Sequence, residues 1–333
     1  MKREADPAAV ALLQRTVYGT RGIRYQHTGQ ELKVTQLNDP HFFHLYERET
    51  LVGLYCLDQR PLTMSDVAVR GFYGRYLTVD NAHAGKGYGR LLKQYAVTYV
   101  ETHYPPPLLF YSYIEEKNTR SLRISEKEGF QSSRVLKTFV FRRYAPQADP
   151  RFSQLNPSEK ENLLTRLTSF YQNFHLTTFA RIGFQNNYFV LKEGDEIIAG
   201  VQANVVRWKF MNMPGAGGWV MMNLLPLVSA TRRFFDPSNY TFAVLEGLYY
   251  KGEREESVYV LLESVLAHFG LYTALLQIDP QAPYAALFSR PGMGRLSGYQ
   301  KGVSTHVMIK PVGLTDAQIQ SNLPVYVSAF DFS

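Results

Sequence analysis

LTVDNAHAGKGYGRLLKQYAVTYV, residues 77–100, is the stretch that decides the fold. A β-rich run ends at Val79 and a short polar turn follows. Glycines then alternate at Gly85, Gly87 and Gly89. Helical spacing starts at once, with Tyr88, Leu91, Leu92, Tyr95, Ala96 and Tyr99 recurring at i, i+3, i+4 and i+7. Strand, glycine loop and helix N-terminus together make an anion site. The first N–H groups of a helix have no intrahelical acceptor, and the helix dipole favours negative charge there. Glycine admits φ > 0 and lets a phosphate come close to the backbone.

The spacing says which phosphate loops this is not. A Walker loop needs G-x-x-x-x-G-K-S/T, and none is present. The dinucleotide fingerprint G-x-G-x-x-G fails, because Arg90 stands where its third glycine would be. Ala84-Gly85-Lys86-Gly87-Tyr88-Gly89 instead resembles the pyrophosphate loop of the GCN5-related N-acetyltransferases (GNAT), Q/R-x-x-G-x-G/A, at every position but the first. Leu77-Thr78-Val79 looks like that family's fourth strand. NTRSLRISEKEGF, residues 118–130, is similar to its second motif, a helix begun by Asn118 and ended by Gly-Phe. The resemblance spans roughly residues 30–144.

The resemblance implies a mixed α/β sheet of the acyl-CoA N-acyltransferase type and acetyl-CoA as donor. Leu77, Val79, the loop from Ala84 through Gly85, Lys86, Gly87, Tyr88 and Gly89 to Arg90, and Asn118 would hold the coenzyme. A backbone N–H at Val79 or its neighbour would polarise the thioester carbonyl. Two positions depart from the pattern. Ala84 replaces the loop's Gln or Arg. Ser125 replaces a Tyr that in the family often protonates the departing thiolate.

Length and composition allow two domains. The chain has 333 residues, 45% of them hydrophobic and 20% charged, enough for two cores and too apolar for disorder. Of the net charge of +7, +6 falls in residues 1–150, which suits a polyphosphate ligand. No cluster of cations is interleaved with stacking aromatics, so a nucleic-acid partner is not expected. No apolar run approaches the ~18 residues of a membrane span, and residues 1–20 do not read as a secretory signal. Cys56 is the single cysteine and allows no internal disulfide. A cytoplasmic location without a membrane partner is the expectation; oligomeric state cannot be read.

The second half repeats the element order of the first. APQADPRF, residues 145–152, reads as the linker. After it come a helix over 163–174, a hairpin turning at Gly194-Asp195, a strand, a helix with Val258, Leu261, Leu262, Val265, Leu266 and Phe269 on one face, and further strands. The expected organisation is two tandem GNAT copies, residues 1–146 and 151–312, with residues 313–333 as a tail. In the second copy the phosphate loop gives way to Lys251-Gly252-Glu253-Arg254-Glu255-Glu256-Ser257. Carboxylates there would repel a pyrophosphate, so this copy is expected to bind no coenzyme.

Acyl transfer to an amine needs a base for the ammonium, a polarised carbonyl and a proton for the thiolate. Glu115 and Glu116 follow directly on the strand LLFYSYI and are the candidate bases. Tyr113, a phenol on that strand, and Ser125 are the candidate acids. No metal site is expected, since His41 and His44 at i and i+3 of a strand point to opposite faces. The stretch 208–228, WKFMNMPGAGGWVMMNLLPLV, reads either as an apolar lid over the acceptor or as core between the halves, with Met211, Met213, Trp219 and Met222 facing the first half. The activity expected is transfer of acetyl to a primary amine by direct attack in a ternary complex. The alternatives are another acyl group, a hydroxyl acceptor, or a non-catalytic acyl-CoA-binding module.

Overall fold

A computed structural model describes residues 1–19, 22–64, 67–319 and 322–331. The first half runs α1 (Pro7–Arg15), β1 (Arg24–His27), α2 (Gln30–Val34), β2 (Pro40–Glu47), β3 (Thr50–Met64), β4 (Val67–Val79), α3 (Tyr88–His103), β5 (Leu108–Glu115), α4 (Thr119–Lys127) and β6 (Gln131–Arg142). The second runs β7 (Phe152–Gln154), α5 (Lys160–Phe170), β8 (Tyr188–Glu193), β9 (Glu196–Asn212), α6 (Gly215–Asn223), α7 (Ser229–Arg232), β10 (Tyr240–Tyr250), α8 (Ser257–Phe269), β11 (Thr273–Ile278) and β12 (Gly298–Val312). Asn118 caps α4, its side chain accepting from the Ser121 N–H, and Gly129 at φ +83° ends the turn after it.

Among the described residues twelve strands form one sheet, ordered β2-β3-β4-β5-β12-β6-β11-β10-β9-β8-β7, with β1 paired to β9. The halves are built alike. In the first, β2, β3 and β4 are antiparallel and β4 runs parallel to β5. In the second, β8, β9 and β10 are antiparallel and β10 runs parallel to β11. The closing strands are exchanged. β12 inserts between β5 and β6, and β6 lies between β12 and β11. Each half therefore lends its last strand to the other, and backbone pairing runs unbroken past the linker at 145–152. The chain is two tandem copies of the GNAT fold sharing one sheet.

One layer of core lies between α3 and the sheet, where Leu92, Ala96, Val97 and Val100 meet Phe72, Phe110 and Phe130. The buried stripe of α3 is Gly89, Leu92, Lys93, Ala96, Val97 and Val100. Leu91 and Tyr95, which the apolar spacing puts on that stripe, are 50% and 60% exposed. The stripe is shifted by part of a turn, and a lysine stands inside it.

The opposite face of the first half carries Tyr73, Leu109, Tyr111 and Leu136 against Val325 and Val327. The stretch expected as a tail is thus packed where it is described. Arg60 donates to both carboxylate oxygens of Asp331, at 2.9 and 3.1 Å, and to Asp58 at 2.7 Å. Glu246 of β10 accepts from the Ser328 hydroxyl and the Ala329 N–H. The segment ties one half to the other.

The Met- and Trp-rich stretch divides. Trp208 is partly buried and stacks on Tyr25 of β1 with ring centroids 4.0 Å apart. Beyond it, α6 has no buried residue. Met211 and Trp219 are exposed and Met213 and Met222 partly so, which removes the reading as core between the halves.

Candidate active site

β4 and β5 pair only from Arg70↔Leu108 to Tyr73↔Tyr111. Beyond Tyr73, β4 continues to Val79 on β3 alone, so its amides on the β5 side have no strand partner. Tyr76 takes φ +58° within this segment, near a register shift between Leu54 and Cys56. This is the bulged strand end at which the thioester carbonyl is expected. The side chains of Leu77 and Val79 pack toward the α3 core, so these residues offer backbone rather than side chain.

The glycine loop follows. Asn81–His83 make one 3-10 turn capped by Asp80. Gly85 and Gly87 sit at φ +86° and +83° with open space where a Cβ would be. α3 starts at Gly87 with no side-chain cap, which leaves its first N–H groups for a ligand. Facing this N-terminus is α4. Between them lies a cavity of about 390 Å³ lined by the three loop glycines, Ile124, Thr119 and the cations Arg90, Arg120, Arg123 and Lys127. Arg90 bonds Glu128 at 2.9 Å. Arg120, Arg123 and Lys127 pair with no carboxylate among the described residues. A cradle of positive-φ glycines, a helix N-terminus and four cations fits a pyrophosphate.

Residues 10–130 match the acetyltransferase (GNAT) family. These residues form a GNAT-family acyltransferase domain. No curated protein matches the chain. Among solved structures, N-myristoyltransferase of Saccharomyces cerevisiae with bound myristoyl-CoA is similar over 96% of this chain and 86% of its own, with a TM-score of 0.64 and 12% identity. A GCN5-related N-acetyltransferase from Anabaena variabilis is similar over 85% of this chain and 66% of its own, with a TM-score of 0.51 and 8% identity. At these identities the likeness is one of fold.

Within the GNAT domain the expected coenzyme residues separate. Gly85, Gly87, Gly89 and Arg90 line the cavity. Ala84 is exposed beside it. Lys86 turns to Glu47, at 3.1 Å, and the Tyr88 hydroxyl donates to the same carboxylate at 3.2 Å. Those bonds to Lys86 and Tyr88, with the Lys86 bond foremost, hold the Glu47 carboxyl below its usual range. Asn118 spends its side chain on the α4 cap. Arg120, Arg123 and Lys127 are absent from the reading of the sequence, yet their i, i+3, i+7 spacing on a helix already put them on one face.

The candidate acids and bases separate too. Ser125 is buried; its hydroxyl donates to the Ser121 carbonyl at 2.9 Å and accepts from Lys93 Nζ at 2.6 Å. Its one proton is committed. Lys93 Nζ also lies 3.8 Å from the centroid of the Phe130 ring. Burial brings the Lys93 pKa down to about 7, against the opposing pull of Glu128. Tyr113 keeps some exposure, with its ring 5.4 Å from Tyr73 and 5.9 Å from Tyr111. Surrounding protein raises its pKa, so the phenol stays protonated. Glu115 is partly buried at the end of β5, and its charge is felt by Tyr25. Glu116 is exposed and its N–H is tied to the Ser304 carbonyl. Tyr111, Tyr113 and Glu115 alternate onto one face of β5. Among the described residues no group of three or more His, Cys, Asp or Glu could hold a metal, and no helix is long and apolar enough to cross a membrane.

Proposed function

We propose that the chain is an acetyl-CoA-dependent N-acetyltransferase acting on a primary amine. The cationic cradle between α3 and α4 carries the reading, because its glycines and four cations suit the pyrophosphate of coenzyme A. The coenzyme supplies the activated acyl group as a thioester. Gly85 to Gly89 and the cations of α4 hold its phosphates, and the unpaired end of β4 near Val79 offers N–H groups to the carbonyl. Glu115, on the Tyr113 face of β5, takes the proton of the incoming ammonium. Tyr113, kept protonated by its surroundings, returns a proton to the thiolate. Glu116 stands further out in solvent and serves the same base role only through water. Among the described residues no nucleophile stands at the site for a covalent intermediate, so direct attack of the amine on the thioester is the proposed route. The coenzyme binds to residues 1–146, while residues 151–312 and the packed C-terminal segment shape the acceptor side.

A longer acyl donor is the second reading, favoured by the likeness in fold to an N-myristoyltransferase along nearly the whole chain. Turnover against acetyl-, octanoyl- and myristoyl-CoA with a panel of amines separates the two. Acetyl-CoA is expected to give the highest kcat/KM, and a preference for the long chain overturns the acetyl reading. Glu115→Gln is expected to lower kcat about 10²–10⁴-fold with coenzyme affinity kept. An unchanged rate removes Glu115 from the mechanism. Coenzyme binding without turnover on any amine would leave a non-catalytic binding module.

A further inference from the structure

Residues 213–239 join β9 to β10, whereas the equivalent strands β3 and β4 end at Met64 and begin at Val67. The long connection carries α6, a 3-10 turn over Leu225–Leu227, and α7. α6 reads GAGGWVMMN, apolar on every side, and none of its residues is buried. A helix apolar all round belongs in a core or in lipid. Three glycines make it a weak helix by propensity, and it covers no core that would compensate. Trp219 is 57% exposed and Leu227 79%, with Val220, Leu224 and Val228 exposed beside them.

Charge selects what covers this surface. Between Glu196 and Asp236 the sequence has no acid, while Arg207, Lys209, Arg232 and Arg233 are all exposed. At the base of the excursion Arg232 and Arg233 border a cavity of about 300 Å³ together with Asp236, Asn239, Tyr272 and Thr273. Arg232 bonds Asp236 at 2.9 Å. Arg233 pairs with no carboxylate among the described residues. Its guanidinium lies 4.6 Å from the Phe234 ring centroid and 5.4 Å from that of Tyr144, and it donates to the Tyr144 hydroxyl at 3.2 Å. The cation is thus fixed in place with its charge uncompensated. A second copy of the chain docked face to face would set these cations against each other.

We propose that the α6–α7 excursion docks on an anionic phospholipid surface. Trp219, Val220, Leu224, Leu227 and Val228 enter the interface, and Arg232 and Arg233 meet the headgroup phosphates. Such docking needs an interfacial apolar helix with cations beside it, not a membrane span, so it adds a partner that the apolar-run criterion for a span cannot find. It does not rest on the acyltransferase reading.

Flotation of the full chain with phosphatidylcholine vesicles, with and without phosphatidylglycerol, tests it. Binding to the mixed vesicles is expected, with a blue shift of tryptophan emission and at least about a tenfold loss on pure phosphatidylcholine. Trp219→Ser with Leu227→Ser is expected to abolish flotation. Arg232→Gln and Arg233→Gln are expected to weaken it about fivefold each. Melting temperature and acetyl-CoA affinity should stay at the parent values, since the substituted side chains are exposed and cover no core. No flotation with mixed vesicles overturns the proposal, as does undiminished flotation of the Trp219→Ser, Leu227→Ser variant. A dimer in sedimentation equilibrium that this variant dissolves also overturns it, because a second copy then covers the face. So does equal binding to both vesicle types together with capture by an acidic protein.

Discussion

After β4 the chain makes a glycine loop bordered by cations; after β10, at the same place in the second half, it makes an acidic turn. Both connections lead from a strand with a parallel neighbour into a helix. In the first, Gly85 and Gly87 adopt positive φ beside Arg90, Arg120, Arg123 and Lys127. In the second, Gly252 stands alone, Arg254 bonds Glu193 at 2.8 Å, Lys251 bonds Glu196 at 2.6 Å, and Glu255 pairs with Arg290. The helices differ accordingly. α3 exposes Leu91 and Tyr95, whereas α8 buries Val258, Leu261, Leu262, Val265 and Leu266. One copy of the fold leaves its strand–helix corner open and bordered by cations, and the other spends it on local ion pairs and core.

The largest expected effect separates the two corners. Gly87→Glu puts a side chain and a negative charge into the cradle at a φ that side chains rarely adopt. Calorimetry should register no acetyl-CoA binding, a loss above about a hundredfold if charge-assisted bonds of 1.5–3 kcal/mol each are removed together. Gly252→Glu, at the matching corner, should leave affinity and a stoichiometry of one per chain untouched. Two equivalent sites in the parent protein, or normal affinity in Gly87→Glu, would break the comparison at its root.

A second contrast lies in two buried ionisable groups, Lys93 from the first half and Glu246 from the second. Burial lowers Lys93 from 10.5 to about 7 and raises Glu246 from 4.5 to about 7. Between pH 7 and 10.5 the unfolded chain holds the lysine proton that the folded chain has given up, so stability rises with pH. Between pH 4.5 and 7 the folded chain holds the Glu246 proton that the unfolded chain has lost, so stability falls with pH. The two groups together put a dip near neutrality. Lys93→Met is expected to flatten the alkaline limb and Glu246→Gln the acid limb, each by on the order of a few kcal/mol. Denaturant melts across the pH range read both. A parent slope retained in either variant assigns that limb elsewhere.

What the sequence gives up and what it withholds follow from locality. Helix caps, the glycine loop, the hairpin at Gly194 and the order of elements are local, and each is read where it stands. The exchange of β6 and β12 is not, because alternating apolar residues specify a face and not the strand beside it. Lys93 escapes because a lysine within an amphipathic helix reads as solvent-facing, and its burial depends on Ser125 and Phe130 from α4 and the turn after it. Ser125 is legible as a departure from the family's tyrosine, but its role as Lys93's partner needs the helix packing. The unpaired end of β4 is suggested by the family pattern and seen only once pairing to β5 stops at Tyr73.

The smallest effect sharpens the comparison rather than testing it outright. Arg120, Arg123 and Lys127 are solvent-facing cations around the cradle, so each is screened and worth less than a buried pair. Replacing any one by Gln is expected to weaken acetyl-CoA binding about threefold to tenfold, the value of a single net hydrogen bond, and to flatten the dependence of affinity on salt. Dephosphorylated coenzyme analogues should lose sensitivity to whichever cation faced the missing phosphate, which assigns the three individually. In the second half, Glu255→Gln frees Arg290 without building a cradle, because only one glycine is present there and the facing segment is a pair of 3-10 turns, Pro283–Ser289 and Pro291–Met293, in place of a helix with a row of cations. It should therefore leave both affinity and salt dependence where they are. An Arg120, Arg123, Lys127 triple variant with parent affinity would mean that the backbone of the glycine loop holds the phosphates alone. The contrast between the halves would then reduce to glycine against glutamate.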